Sequence, residues 1–583
     1  MSRSGIPHSA WVRLVSGRQR PAREPSARAY TRIEKIRVLR DCLRVKSIRC
    51  AYAESESPGR PHFRASIARQ PLPRNPSLMI THRSSGILLH PTSLPGAFGS
   101  GDFGPDAYHF VDWLASAGQS LWQILPLGAI GVGNSPYMGS TAFGGNPLLI
   151  DLHDLGAQGW LTPEALQPDP GLDQARVDYP GQFAFRIPRL RQAARIFFAD
   201  APPDQDRDFA AFCAAEAAWL DDYALFMAID AAHPGQVWAD WPAPLAHRKP
   251  AALRETARAH ADEVAFWKFC QWRFARQWGR LKAYANTRGV RIIGDVPIFV
   301  AHHSADVWAH QGLFELDRQG WPTVVAGVPP DYFSATGQRW GNPLYRWSAH
   351  RTDGYAWWLT RMRRALALAD LVRIDHFRGF VAHWEIPASE ASAINGRWQA
   401  GPGKELFQAF RDGFSHLPII AEDLGIITPD VEELRDSFGL PGMRILQFAF
   451  GGDATHAYLP HNYCVNTVAY SGTHDNDTAL GWWQSAAPRE RTFAQHYFGS
   501  DAHAIHWDMM RALSASVACA VIYPMQDILG MDGSQRMNLP GVPEGNWEWR
   551  FAWNQLEPWH AKVLREMGAV HGRTDFGGVE LPD

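Results

Sequence analysis

The stretch "LADLVRIDHFRGF", residues 368–380, sets an apolar run, Leu371-Val372 and then Ile374, against Arg373, Asp375, His376 and Arg378. A short run rich in branched residues and bounded by charge has the character of a strand buried on both faces. Seven more runs share it: "GILLHPTSLPG", "SLWQILPLGAI", "GVRIIGDVPIFV", "LPIIAEDLGI", "MRILQFAF", "NTVAYSGTHDND" and "SVACAVIYPMQDILG". Between them lie segments of helical periodicity such as "YAWWLTRMRRALALA" and "GKELFQAFRDGFSHL". Strand and helix alternating eight times predict a parallel α/β fold closed as a (β/α)8 TIM barrel over residues 79–583, with no separate C-terminal β-domain. A long excursion between the second and third runs, about residues 151–285, reads as a mainly helical insertion whose aromatic stripes pack onto the barrel.

Length alone allows either one elaborated barrel or two to three domains in 583 residues. Hydrophobic residues at 46% and aromatics at 12% exclude disorder for most of the chain. The 25 Trp residues are in excess of ordinary usage, and exposed Trp offers flat apolar faces for sugar rings or bases. The net charge of −2 hides an asymmetry: residues 1–78 carry 17 basic and 5 acidic side chains, and the rest carries 40 and 54. So acidic a body argues against nucleic-acid binding. The basic segment reads as a disordered extension, with a transit peptide or a nucleic-acid arm as alternatives, and it lacks the apolar centre of a secretory signal. Six Cys without metal-like spacing indicate a reducing compartment, and no apolar run reaches the roughly 20 residues of a membrane span. A soluble cytoplasmic protein, with no membrane and no nucleic acid among its partners, is expected.

The charged ends of the runs form a pattern. "RIIGD" ends at Asp295, "LVRID" at Asp375, "IIAED" at Glu422-Asp423 and "VAYSGTHD" at His474-Asp475, always on the C-terminal side. In a barrel that side is a single rim, so the acids converge. Any one of them alone reads as a cap or a turn former. Together, with Arg373, they read as a site in which mutual repulsion raises at least one pKa. A metal centre fits poorly, because Arg373 competes with a cation and no His-x-His or His-Glu-x-x-His pattern is present. Phosphoryl chemistry would want a glycine-rich anion cradle, which these strand ends lack. Glycosyl transfer needs two carboxylates and neither metal nor cofactor, and fits best.

"RIDHFRGF", "AEDLG", "SGTHDNDT" and "GDVPIFVA" resemble the four catalytic strand regions of the α-amylase superfamily. More narrowly, "HPTSLPGAFGSGDFG", "WQILPLG", "SPYMGSTAFGGNPLLIDL", "GVPPDYFSATGQRWGNPLY" and "PMQDILGM" resemble the 4-α-glucanotransferases of glycoside hydrolase family 77, over about residues 84–560. The resemblance implies Asp375 as nucleophile, Glu422 as general acid/base and Asp475 as transition-state stabiliser. It implies sugar contacts from His474 and Asp295, and contact with the donor glucan from Tyr137. Arg373, two residues before Asp375, faces the same side of the strand and holds that carboxylate ionised; His376 faces the other side and supports. The implied substrates are maltooligosaccharides and other α-1,4-glucans, with glucose as an acceptor. Segment 326–343 reads as a long active-site loop in which Tyr332, Phe333 and Trp340 stack and Asp331 and Gln338 supply polar contacts, favouring a sugar acceptor over water.

Overall fold

The structure, a computed structural model, describes residues 80, 82–330 and 334–575. The basic segment 1–78 and the loop residues Asp331, Tyr332 and Phe333 lie outside the described residues. All eight apolar runs form strands: β1 (Ser84–Leu88), β2 (Leu121–Gln123), β3 (Arg291–Val296), β4 (Leu371–Ile374), β5 (Ile419–Ala421), β6 (Gly442–Ile445), β7 (Thr467–Tyr470) and β8 (Ala520–Pro524). They pair parallel in the order β6-β7-β8-β1-β2-β3-β4-β5. The ring closes between β5 and β6, where Ala421 N donates to Pro441 O at 2.9 Å. The result is the expected (β/α)8 barrel.

The branched residues are consumed by the wall: Ile87, Ile293, Val372, Ile374, Ile420, Ile445, Val468 and Val521 are all buried. Each is worth about 1.5–3 kcal/mol on burial. Two large polar side chains of the wall are paired, Tyr470 Oη donating to Gln123 Oε1 at 2.8 Å and Trp122 Nε1 to Leu89 O at 2.8 Å, which removes the penalty of leaving them dry and unbonded.

Helices alternate with strands for most of the ring. They include Pro105–Ser116, Ala261–Thr287, Ala356–Leu368, Lys404–Gly413, Pro429–Ser437, Ile505–Ala515 and Pro558–Val570. The sixth connection departs from the expected alternation: between β6 and β7 only two 3₁₀ turns form, Leu446–Ala449 and Pro460–Asn462. Within the excursion after β2, helices Tyr179–Asp200 and Pro203–Ala232 pack with Ala261–Thr287. The aromatic stripes face inward, as Trp160, Phe197, Phe269 and Trp272 form one buried cluster. Helix Ala261–Thr287 also grips the loop after β2. Gln271 bonds both the N–H and the C=O of Gly145 at 2.7 and 2.9 Å, and Gln277 does the same to Asp151 at 2.7 and 3.1 Å.

A second sheet stands beside the barrel, and its four antiparallel strands are Val324–Val328, Gln338–Pro343, Ala382–Pro387 and Arg397–Ala400. Segment 326–343, expected as a loop, is therefore a hairpin with strands at both flanks. The strands approach so closely that a Cβ on Gly327 would stand 2.1 Å from Gln338 O. Glycine is required there by space. Among the described residues no helix is long and apolar enough to cross a membrane.

Candidate active site

The parallel register of β3 and β4 sets Asp295 directly beside Arg373. Their side chains leave the wall on the same face, and Arg373 Nη1 donates to both oxygens of Asp295 at 2.9 and 2.7 Å. Its other arm, Nη2, donates to Asp375 Oδ1 at 2.8 Å. The side chains of Asp295 and Arg373 are 0% and 3% exposed, whereas Asp375 keeps 28% of its surface open. A buried guanidinium thus ties down one hidden carboxylate and orients one open one. Burial pushes Asp375 above the ordinary carboxylate range, and the Arg373 charge works against that rise.

Directly after β4 the chain enters a left-handed turn at His376, with φ 52° and ψ 47°. Its N–H donates to Glu422 Oε2 at 2.6 Å, and Leu424 N donates to Glu422 Oε1 at 2.9 Å. Glu422, just past β5, is therefore held by two backbone groups next to Asp375. Burial first and the Asp375 charge second push its carboxyl up to about 8, despite the opposing N–H bonds. The His376 ring is partly buried and kept neutral, its pKa lowered to about 3, first by loss of solvation and then by the Arg378 charge. It packs edge-on against Trp340 with centroids 4.9 Å apart. The adjacent Asp423 does something else. It accepts from Met443 N at 2.6 Å and pairs with Arg435 and Arg444, locking β5 to β6.

Past β7, His474 and Asp475 complete the rim. The Asp475 side chain is 44% exposed and its Oδ2 lies 3.3 Å from His474 Nε2. Tyr137, on the 3₁₀ turn Pro136–Met138 after β2, donates its hydroxyl proton to Asp295 Oδ2 at 2.8 Å and stands 2.9 Å from His474 Nε2. A phenol has one proton to give, so this network makes His474 Nε2 the donor to Tyr137. The Tyr137 and His474 rings stack at 5.3 Å, and Trp547 flanks both at 5.7 and 5.9 Å.

Seven residues named from the sequence, Tyr137, Asp295, Arg373, Asp375, Glu422, His474 and Asp475, therefore meet in one cluster. Asp295 takes a different place in it from the one expected. Its carboxylate is covered, with both oxygens committed to Arg373 and Tyr137, so it anchors those two and has no open surface for a sugar. Gln338 and Trp340 lie on the hairpin, Trp340 Nε1 donating to Gln338 Oε1 at 3.1 Å, and the Trp340 ring reaches the site through His376. The sequence reading missed the segment after β8. Asn538 Nδ2 donates to Asp475 Oδ1 at 2.6 Å, Asn538 N to His474 O at 3.1 Å, and Arg536 Nη2 to Asp475 O at 2.8 Å. No periodicity marks these positions, and only their polar character within an irregular segment could have drawn notice.

A (β/α)8 barrel presenting, on its C-terminal rim, an open carboxylate on a guanidinium beside a buried carboxyl that keeps its proton is equipped for work on glycosidic bonds. The chain belongs to the 4-alpha-glucanotransferase family, glycoside hydrolase family 77, whose model matches residues 89–555. A 4-alpha-glucanotransferase of Thermus thermophilus is 52% identical over 499 residues, covering 84% of this chain and 99% of the relative. A chloroplastic/amyloplastic 4-alpha-glucanotransferase of Solanum tuberosum is 46% identical over 502 residues, covering 84% and 86%. Among solved structures, the amylomaltase of Streptococcus agalactiae in complex with acarbose superposes with a TM-score of 0.82 at 38% identity, covering 85% of this chain and all of that one. The protein is an enzyme of the transglycosylase type.

Proposed function

We propose that this enzyme moves α-1,4-glucan segments from a maltooligosaccharide donor to the 4-hydroxyl of glucose or of another glucan, with retention, through a covalent glycosyl-enzyme. The observation that carries the reading is the unequal environment of two neighbouring acids. Asp375, bonded to the Arg373 guanidinium, ionises first, and its charge helps Glu422 keep a proton to about pH 8. Asp375 attacks the anomeric carbon while Glu422 protonates the leaving oxygen. Glu422, now a carboxylate, then takes the proton of the incoming 4-hydroxyl as that oxygen displaces Asp375. The part-exposed Asp475 faces the positive charge that develops on the sugar ring, with His474 and Tyr137 beside it. Gln338, Trp340 and the neighbouring Asp331, Tyr332 and Phe333 serve the acceptor.

The acarbose held by the Streptococcus agalactiae relative supports a maltooligosaccharide as the occupant of the cleft. In the same reading residues 79–583 form the catalytic unit, residues 151–285 its insertion and 326–343 its active-site hairpin, and the enzyme works in the cytoplasm without cofactor or metal. Incubation with maltotriose tests the proposal. Glucose together with a ladder of longer maltooligosaccharides is expected, and Asp375→Ala abolishes both. Glucose and maltose alone would overturn the transferase reading in favour of hydrolysis.

A further inference from the structure

The outer edge of the side sheet carries a feature that the cluster around Asp375 does not use. All four residues of strand Arg397–Ala400 are exposed, in a sheet where that strand is an edge. Trp398 leaves 40% of its surface to solvent. Its register partner is Trp384, whose ring meets it edge-to-face at 5.2 Å and is itself fixed by Nε1 donating to Ala393 O at 2.9 Å. The Arg378 guanidinium lies 3.9 Å from the Trp398 ring centre. One face of Trp398 is thus backed by a cation and an edge is buttressed by a second indole, so the ring is rigid without being covered. Such pre-set aromatic surface costs little entropy to use.

The surroundings narrow what this ring receives. Arg397, on the opposite face of the strand, is paired with Glu385, whose Oε1 accepts from Arg397 Nε and Nη2 at 2.8 and 2.5 Å, and the Arg378 guanidinium is taken up by the ring and by the carbonyls of Ala382 and Ile426. The exposed apolar surface here is the Trp398 ring with Ile394 before the strand and Ile426 beyond Arg378, a few side chains against the ~800 Å² per partner of a stable protein interface. A rigid, part-open indole bordered by the hydrogen-bonding backbone of a sheet edge matches the face of a pyranose ring. The ring is also tied to the catalytic cluster. Arg378 stands three residues after Asp375 and donates from Nη1 to the carbonyl of Ile426, in the loop that follows Glu422.

We propose that Trp398 and its edge strand form an auxiliary docking subsite for the remote part of a long α-1,4-glucan chain, on the side of the site next to the Glu422 loop. This rests on the transferase reading above and adds a preference for chain length. The subsite binds neutral glucan by stacking and takes no part in bond breaking.

The test compares Trp398→Ala and Trp398→Phe with the unaltered enzyme on maltotriose and on amylose, and measures amylose retention in native gels using an Asp375→Ala background. Trp398→Ala is expected to raise KM for amylose about five- to tenfold, to leave kcat/KM for maltotriose within about twofold, and to lose gel retention. Trp398→Phe, which keeps a flat ring, restores most of the amylose affinity. Unchanged amylose KM and retention in Trp398→Ala would overturn the subsite, as would an equal loss on both substrates, which marks Trp398 as a mere support of Arg378. Absence of any transfer product from the unaltered enzyme would instead overturn the transferase reading and leave the gel result to decide the subsite.

Discussion

Replacing Glu422 by Gln should flatten the way stability falls with pH. Glu422 is 9% exposed and its carboxyl accepts two backbone N–H bonds, yet its pKa rises from the ordinary 4.5 to about 8, through burial first and the Asp375 charge second. A raised folded-state pKa means that the folded chain holds this proton more tightly than the unfolded chain. The stabilisation is complete below pH 4.5, where both states are protonated, and is lost progressively as pH rises to about 8. At about 1.4 kcal/mol per pH unit, the interval corresponds to about 5 kcal/mol as a ceiling. With an unfolding entropy of about 2.1 cal/mol/K per residue, a chain of this size loses roughly 1 °C of Tm per kcal/mol. Glu422→Gln cannot ionise, and its single carbonyl satisfies only one of the two N–H donors. It therefore carries an offset that does not vary with pH. The difference in Tm between enzyme and variant, followed by scanning fluorimetry from pH 4.5 to 8.5, should drift by about 3–5 °C in favour of the variant. A difference constant across that range would refute the reasoning. In the proposed mechanism the same proton serves the leaving group, so kcat/KM for maltotriose should fall tenfold per pH unit above about pH 8.

The remaining expectations concern the side chains that hold the acids. Asn538→Ala removes a charge-assisted bond worth about 1.5–3 kcal/mol; because Asp475 is partly solvated, the low end applies, and kcat/KM should fall about tenfold with Tm nearly unchanged. Arg373→Leu leaves Asp295 buried without its cation and should cost about 3–5 kcal/mol of stability, read by thermal melting. Adding Asp295→Asn to that variant should recover most of the stability and none of the activity. A double variant as unstable as the single one would show that Asp295 is not the group Arg373 neutralises.

The eight barrel strands were legible because a parallel sheet covered on both faces needs continuous branched residues, and "LVRI", "IIA" and "TVAY" have them. The side sheet was not legible. Its strands Gln338–Pro343 and Arg397–Ala400 are part-exposed or exposed, carry Gly and Pro or a mixture of charge and indole, and are made strands by pairing with Val324–Val328 and Ala382–Pro387. The missing sixth helix follows from composition as well, since "GGDATHAYLPHNYC" after β6 offers Gly, Pro and Asn where a helix needs uninterrupted formers. The acids at the rim were visible as a set, but their individual duties depend on neighbours. Asp295 and Asp375 look alike in sequence and differ by burial, and Glu422 and Asp423 are adjacent and face different partners.

That dependence gives the cluster a definite electrostatic logic. Arg373 is the sole cation in hydrogen-bonding contact with Asp295 and Asp375 among the described residues, and its two arms serve different ends. The pair with Asp295 is fully covered, so its charges cancel where no water can screen them, and Tyr137 fills the remaining acceptor site. The pair with Asp375 is open on the cleft side, so that carboxylate stays available to a substrate. Among the described residues no cation hydrogen-bonds Glu422, which accepts the N–H groups of His376 and Leu424 and feels Arg373 only through space. Those dipoles fix its direction without supplying the charge needed to strip its proton near neutral pH. Had a Lys or Arg stood in their place, Glu422 would ionise with Asp375 and the acid would be lost. The left-handed turn at His376 is what makes the dipolar arrangement possible, because it turns a strand-end N–H onto Glu422. The imidazole that the turn sets aside packs against Phe299 and Trp340, beside Gly379.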